Sequence, residues 1–298
     1  VALGTARSDV VALDGEVSNS TYAEDFAGAH PDRFFETYIA EQQLVAAAIG
    51  IQVRNWKPFA STFAAFFARA YDFTRMAAVS QANIKLVGSH AGVSIGPDGP
   101  SQMGLEDIAS LRAVHNSTVL YPSDANQTTA LMSQMVDREG IVYLRTTREA
   151  TPVLYDSGDT FPIGGSKIVK SSRSDAVTLV GAGITLHEAI RAAETLEAEG
   201  ISARVIDLYS IKPIDAKTLQ AAAQDTGCIV TVEDHWPEGG LGEAVLSVFT
   251  DNNLRPVIKI LAVQNMPTSG SPAELMSDAG IDAQSISTAV RDLVSSNG

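Results

Sequence analysis

The sequence predicts an α/β protein of two consecutive domains, each a mostly parallel sheet flanked by helices. Three observations carry this. Short apolar runs of strand length alternate with amphipathic stretches of helical length along most of the 298 residues. At about 150 residues per domain, that length fits two domains. A stretch rich in Pro, Gly, Ser and Asp, 151–175, breaks the alternation near the middle. The expected organisation is a first domain at 1–152, a linker at 153–175 and a second, smaller domain at 176–298.

In the first domain, strands are expected at 9–13, 84–88, 118–121 and 141–144, each too short for a helix and bounded by turn residues. Residues 36–49 place Ala40, Leu44, Ala47 and Ala48 on one helical face. Residues 62–79, rich in Ala and Phe, read as helical, and 124–138 are amphipathic behind the capping pair Ser123 and Asp124. Val1-Ala2-Leu3-Gly4 has the pattern of a last helical turn closed by a glycine cap. A domain seldom starts on the tail of a helix, so polypeptide upstream is expected, the alternative being a processed terminus. In the second domain, strands are expected at 176–180, 203–208, 228–232 and 257–262. Helices are expected at 186–199, where Gly200 ends the pattern, at 214–224, and around 240–249 and 284–296.

Lys and Arg number 21 against 35 Asp and Glu, a formal net charge of −14. This is the wrong balance for nucleic acid, whose phosphates need clustered Lys and Arg. It leaves room for a small anion held by one or two local arginines. With one cysteine, Cys228, no internal disulfide can form, which fits a reducing cytosol. No apolar run approaches the roughly 18 residues of a membrane span, and no signal-peptide pattern opens the chain. Neither a nucleic-acid nor a membrane partner is expected.

Chemistry in such folds sits at the carboxyl ends of parallel strands. The densest polar and glycine-rich stretch, Gly88–Gln102, directly follows an expected strand. Its glycines let the backbone approach a ligand closely, while His90, Asp98 and Gln102 supply polar groups. Taken alone, the stretch matches neither the dinucleotide-binding nor the P-loop fingerprint. No His, Asp or Glu group has the spacing of a metal site.

Five segments then combine: Tyr38-Ile39-Ala40-Glu41-Gln42, Ser61-Thr62-Phe63-Ala64-Ala65-Phe66, Gly88–Gln102, Arg145-Thr146-Thr147-Arg148, and Val232-Glu233-Asp234-His235-Trp236-Pro237-Glu238-Gly239-Gly240. Together, in this order and spacing, they resemble the C-terminal half of transketolase, its pyrimidine-binding domain followed by its C-terminal domain. The resemblance runs from about residue 5 to the end. The family's pyrophosphate-binding domain, with its Gly-Asp-Gly metal motif and several histidines, has no counterpart here, nor has a phosphate-binding arginine that lies just upstream in the family. The resemblance therefore implies half an active site, in a split subunit or a fragment. A complementary N-terminal chain would complete it, and homodimerisation would give a heterotetramer. The implied cofactor is thiamine diphosphate, with Mg²⁺ or Ca²⁺ bridging its diphosphate through ligands on the partner chain.

Glu41 has apolar neighbours, a setting that favours a protonated carboxyl, and taken alone also suits a first-turn acid at a helix dipole. By resemblance it is the catalytic glutamate, hydrogen-bonded to the cofactor's pyrimidine ring in a dry pocket. Phe63 and Phe66, three apart on an expected helical face, are implied pyrimidine contacts, with Glu16 a further cofactor-facing acid; Phe67 and Phe73 are expected in the core. His90 is implied in catalysis and, with Asp98 and Gln102, in holding the substrate, a neutral imidazole being able both to donate and to accept. Asp98-Gly99 alone suits a plain turn. Ser20 and Arg148 are implied sugar-phosphate contacts, Arg148 through its planar fork, although alone it also suits a surface ion pair. His30, His115 and His187 have no motif around them, and His235 is expected to support packing and the dimer interface.

The implied reaction is transfer of a two-carbon ketol unit from a ketose phosphate to an aldose phosphate, with covalent catalysis dividing one hard step into easier ones. Competing readings are a 1-deoxyxylulose-5-phosphate synthase-like enzyme, the beta chain of a 2-oxo acid dehydrogenase decarboxylase, and a non-catalytic scaffold of the same fold. His90, Asp98-Gly99-Pro100 and Arg148 favour a sugar phosphate, and Glu41 with Phe66 argues against a scaffold.

Overall fold

A computed structural model describes residues 1–297. In the first domain β1 (Val10–Asp14), β2 (Phe34–Glu36), β3 (Lys57–Phe63), β4 (Ile84–Ser89), β5 (Thr118–Leu120) and β6 (Ile141–Arg145) are joined by parallel pairings. The second sheet holds β7 (Lys167–Lys170), β8 (Val177–Gly181) and β9 (Ala203–Asp207); β10 (Ser210–Lys212) leaves it, and β11 (Cys228–Val232) and β12 (Val257–Leu261) complete it. The strand orders among the described residues are β10-β5-β6-β4-β3-β1-β2 and β12-β11-β8-β9-β7. Every residue of β6, β8 and β11 is buried, as parallel strands covered by helices on both faces must be. Two α/β domains with mostly parallel sheets are thus present, as the alternation predicted.

The expected elements stand with shifted ends, and four local expectations are corrected. β3 lies centrally between β1 and β4 in a stretch whose end was read as the start of a helix. Helical structure starts only after it, as the 3-10 helix Ala64–Ala70 and then the α-helix Tyr71–Val79. Phe63 and Phe66 therefore do not share a helical face, because one ends a strand and the other lies in the 3-10 turn. Phe67 is buried as expected, but Phe73 is 38% exposed, since its helix turns Thr74 and Ala77 inward instead. Gly4 is not a cap: the helix Ala2–Ala6 runs through it, and a Cβ there would overlap the Phe26 ring.

The stretch 153–175, read as a linker, contains β7, which pairs antiparallel with β9 at the edge of the second sheet. β10 reaches back and pairs antiparallel with β5 of the first sheet. One buried cluster runs from Val11, Leu13 and Leu86 through Tyr121 to Val180, Ile206 and Ile229, so the apolar core crosses the domain boundary. Each fully buried Leu, Ile or Val contributes about 1.5–3 kcal/mol relative to an exposed one. This shared core fixes the two domains against each other.

Candidate active site

The carboxyl end of β1 begins the site. Asp14 is buried there and accepts hydrogen bonds from Val17 N at 2.7 Å and Thr21 Oγ1 at 2.6 Å. Burial pushes its carboxyl up to about 6 against those bonds. The two contacts pin the turn Ser18–Thr21, which presents Ser20 to a pocket of about 610 Å³. The pocket is also lined by Ser61, Ser89, His90, Thr146 and Arg148, with Phe26, Phe59 and Leu144 as its apolar wall. Ser20, His90 and Arg148, singled out from sequence, thus border one cavity.

His90 follows β4 with φ of 56°, a left-handed conformation more common for His than for most side chains. Its ring lies 4.0 Å from that of Phe63 at 9°, and Ser89 Oγ is 3.1 Å from Nδ1. Burial, helped by the Arg148 charge and opposed by Asp98, pushes the imidazole down to about 4. It is neutral at physiological pH. Arg148 Nη1 donates to Asp98 Oδ1 and to Ile95 O, both at 3.0 Å, so Asp98 joins the site through Arg148.

Glu41 is the first residue of the helix Glu41–Gln52 and is 1% exposed. To its apolar sequence neighbours the fold adds a charged one. The 3-10 helix brings Arg69 back over the helix start, and Arg69 Nη1 donates to Glu41 Oε1 at 2.8 Å. The Arg69 guanidinium also covers the Phe66 ring at 5.2 Å, and Phe66 stacks on Phe63 at 5.2 Å and 17°. Glu41, Arg69, Phe66, Phe63 and His90 form one continuous run. Beside it, Thr62 Oγ1 is buried without a hydrogen-bond partner, 3.2 Å from where a Cβ of Gly15 would stand.

Of the expected site residues, Glu41, Phe63, Phe66, Asp98, Glu16 and Gln102 lie outside the cavity lining, and the last two also stand apart from the contacts just described. Glu16 is exposed with φ of 64°, and its backbone N–H donates to Glu36 Oε1. Gln102 is half-buried in the 3-10 turn Pro100–Gln102. Three residues that bear on the site escaped sequence reasoning. Arg69 is 28 positions from Glu41, so no local spacing shows the pair. Asp14 and Ser89 each directly follow an expected strand and close the observed one, a signal that the sequence carries.

Behind the pocket, Arg145 is fully buried. Its Nε donates to Asp107 Oδ2 at 2.9 Å, Nη1 to Asp234 Oδ1 at 2.7 Å, and Nη2 to Gly104 O and Asp234 O at 3.0 Å. Tyr143 OH donates to Asp107 Oδ2, and Tyr121 OH to Asp234. Glu233 accepts from Leu241 N and Gly242 N at the start of the helix Leu241–Ser247. His235 Nδ1–H donates to Trp236 O at 2.6 Å, and Nε2 accepts from Ala109 N of the first domain. Asp234 and His235 are therefore inter-domain anchors, while Glu233 caps a helix of its own domain. His187 is likewise structural, its Nε2 2.7 Å from Ser123 O. Among the described residues no cluster of three His, Cys, Asp or Glu is arranged to hold a metal ion, and no helix is long and apolar enough to cross a membrane.

Two parallel-sheet domains sharing a common core, with a polar pocket in the first, define a two-domain α/β protein. The family model for the transketolase pyrimidine binding domain matches residues 1–153, and that for the transketolase C-terminal domain matches 166–286. This chain belongs to the transketolase family. It is 50% identical to human transketolase over 296 residues, covering 98% of this chain and 47% of that protein. Rat transketolase is 50% identical over 294 residues, with the same coverage of each. A solved structure described as a split gene transketolase, inactive beta4 tetramer, superimposes with a TM-score of 0.89 at 37% identity, covering 99% of this chain and 94% of that one. The chain spans about half the length of the curated relatives it matches.

Proposed function

We propose that this chain is the C-terminal part of a transketolase, which transfers a two-carbon ketol unit from a ketose phosphate to an aldose phosphate. It acts together with a complementary chain bearing the pyrophosphate-binding domain. The observation that carries the reading is the run Glu41–Arg69–Phe66–Phe63–His90 leading into the pocket of Ser20 and Arg148.

The residues fit thiamine diphosphate: a buried carboxyl, a stacked aromatic pair, an orphaned Thr62 hydroxyl and the close approach at Gly15. When bound, the cofactor supplies the carbon nucleophile and electron sink that ketol transfer needs. Glu41 would meet its pyrimidine ring through Oε2, Arg69 occupying Oε1. Phe66 and Phe63 would border it, with Glu16 at the rim.

Neutral His90, engaged through Nδ1, turns Nε2 to a substrate carbonyl or hydroxyl, donating or accepting as the step requires. Asp98 and Gln102 hold further hydroxyls. Arg148 spends only Nη1 on Asp98, so its remaining N–H groups fork onto the substrate phosphate beside Ser20. This local recognition reconciles an anionic substrate with a chain of net charge −14. The ligands of Mg²⁺ or Ca²⁺ lie on the complementary chain, and pairing of two such assemblies gives a heterotetramer. The split-gene relative, described as inactive in its beta4 form, supports the need for a partner. A cytoplasmic site of action follows from the likeness to transketolases.

The test is reconstitution. Purified alone, the chain is expected to be inactive; adding a complementary chain with a Gly-Asp-Gly motif is expected to give turnover that depends on thiamine diphosphate. Full-rate consumption of xylulose 5-phosphate by the lone chain would refute the split-enzyme reading.

A further inference from the structure

The glycine-rich stretch that carries His90 and Asp98 does not shape itself. Gly92, Gly96 and Gly99 all have left-handed φ, at 75°, 77° and 82°. Beside each, the second domain stands where a side chain would begin. A Cβ on Gly92 would overlap the Asp234 carboxylate. One on Gly96 would lie 3.2 Å from both Gly270 O and Pro272 Cδ, and one on Gly99 would lie 2.7 Å from Ser269 Oγ. The second-domain wall is itself fixed. Ser271 and Glu274 form a reciprocal capping box at the start of the helix Pro272–Asp278. Asp234 is locked by Arg145 and Tyr121. Gly104 O accepts from both Gly92 N and Arg145 Nη2, so the same arginine ties the loop's return to Asp234.

We propose that the second domain is the mould of the substrate loop, with Asp234 and the segment Ser269–Pro272 acting as positioning residues for His90 and Asp98. The proposal rests on the reading of those two side chains as substrate contacts. It gives the second domain a part in substrate recognition although none of its residues lines the pocket. Asp98 lies between two moulded glycines, so a push at Ser269 reaches the Asp98–Arg148 pair and, through it, the charges that His90 feels.

The experiment follows the His90 imidazole by proton NMR titration in the full chain, and measures KM and kcat for xylulose 5-phosphate in the reconstituted enzyme. Ser269 is exposed, so Ser269→Leu leaves the core intact while crowding Gly99. It is expected to raise the His90 titration midpoint by about one unit, as the loosened ring gains water. KM should rise about tenfold with kcat within about twofold, and Ser269→Ala should restore wild-type values. Asp234→Asn should shift the midpoint in the same direction; if it fails to fold, the Ser269 pair decides. A Ser269→Leu chain in which His90 titrates as in wild type overturns the proposal, as does a moved titration with unchanged KM. If the reconstituted wild type shows no ketol transfer, the functional reading fails separately, and the titration still tests the mould.

Discussion

Arg145 Nη1 donates to Asp234 Oδ1 over 2.7 Å, joining the two domains through a pair of side chains sealed from water. Asp107 flanks the guanidinium on the first-domain side, and its Oδ1 is buried without a hydrogen-bond partner. Such a pair is costly to break rather than intrinsically strong, because a charge left behind in a dry interior has lost its water.

Asp234→Ala is accordingly expected to destabilise the chain by about 3–5 kcal/mol. Denaturant unfolding followed by far-UV circular dichroism measures this. An unchanged midpoint would show that solvent reaches Arg145.

Glu41→Gln keeps the shape and the bond to Arg69 but removes the acid. Because Arg69 is 52% exposed, the ion pair adds little to stability, and the variant should unfold near the wild-type midpoint. Turnover in the reconstituted enzyme should fall by about a hundredfold or more, the usual worth of a positioned acid or base. Retained turnover would remove Glu41 from the mechanism.

Arg148→Lys preserves charge and loses the planar fork. KM for a phosphorylated ketose is expected to rise about tenfold or more, matching about 1.5–3 kcal/mol for a charged hydrogen bond. An unphosphorylated ketose should be turned over as before. Equal losses on both substrates would place Arg148 away from the phosphate.

Glu233 gives a pH signature. Burial pushes its carboxyl up to about 8 from 4.5, against two backbone N–H bonds that favour the anion. The folded chain therefore binds more protons than the unfolded one between those values. Its contribution to stability is full below about pH 4.5 and is lost as pH rises through 8, with a slope approaching 1.4 kcal/mol per unit. Glu233→Gln should remove this slope, at the cost of one backbone N–H bond, because its amide has a single acceptor oxygen. Parallel pH–stability curves for the two proteins would mean that Glu233 is ionised throughout.

Much of the fold was legible because burial leaves a periodic trace. β4, β6, β8 and β11 are short, mostly apolar runs interrupted only by single polar residues such as Lys85, Thr178 and Thr231. β3 was not legible in the same way. Its Lys57-Pro58-Phe59-Ala60-Ser61-Thr62-Phe63 carries one β-branched residue and runs into an Ala- and Phe-rich segment, so helical spacing masked the strand. β7 and β10 are short pieces held by pairing with β9 and β5, not by a pattern of their own.

The residues around the pocket divide in the same manner. Ser20, His90 and Arg148 were named from motifs and meet in one cavity. Glu16 and Gln102 carried comparable motif support yet lie outside its lining. Arg69 could be found only once the 3-10 helix had folded back on Glu41.

By itself the sequence determined which segments are strands and helices wherever one face is buried, that the chain has two such domains, and which polar side chains deserved notice. Those properties are local, written in spacings of two to four residues. The tertiary structure alone decided that Arg145 faces Asp234 across 89 positions of chain, and that three glycines lie against the second domain. Charge pairing and close approach depend on distance in space, and no regular interval along the chain encodes it.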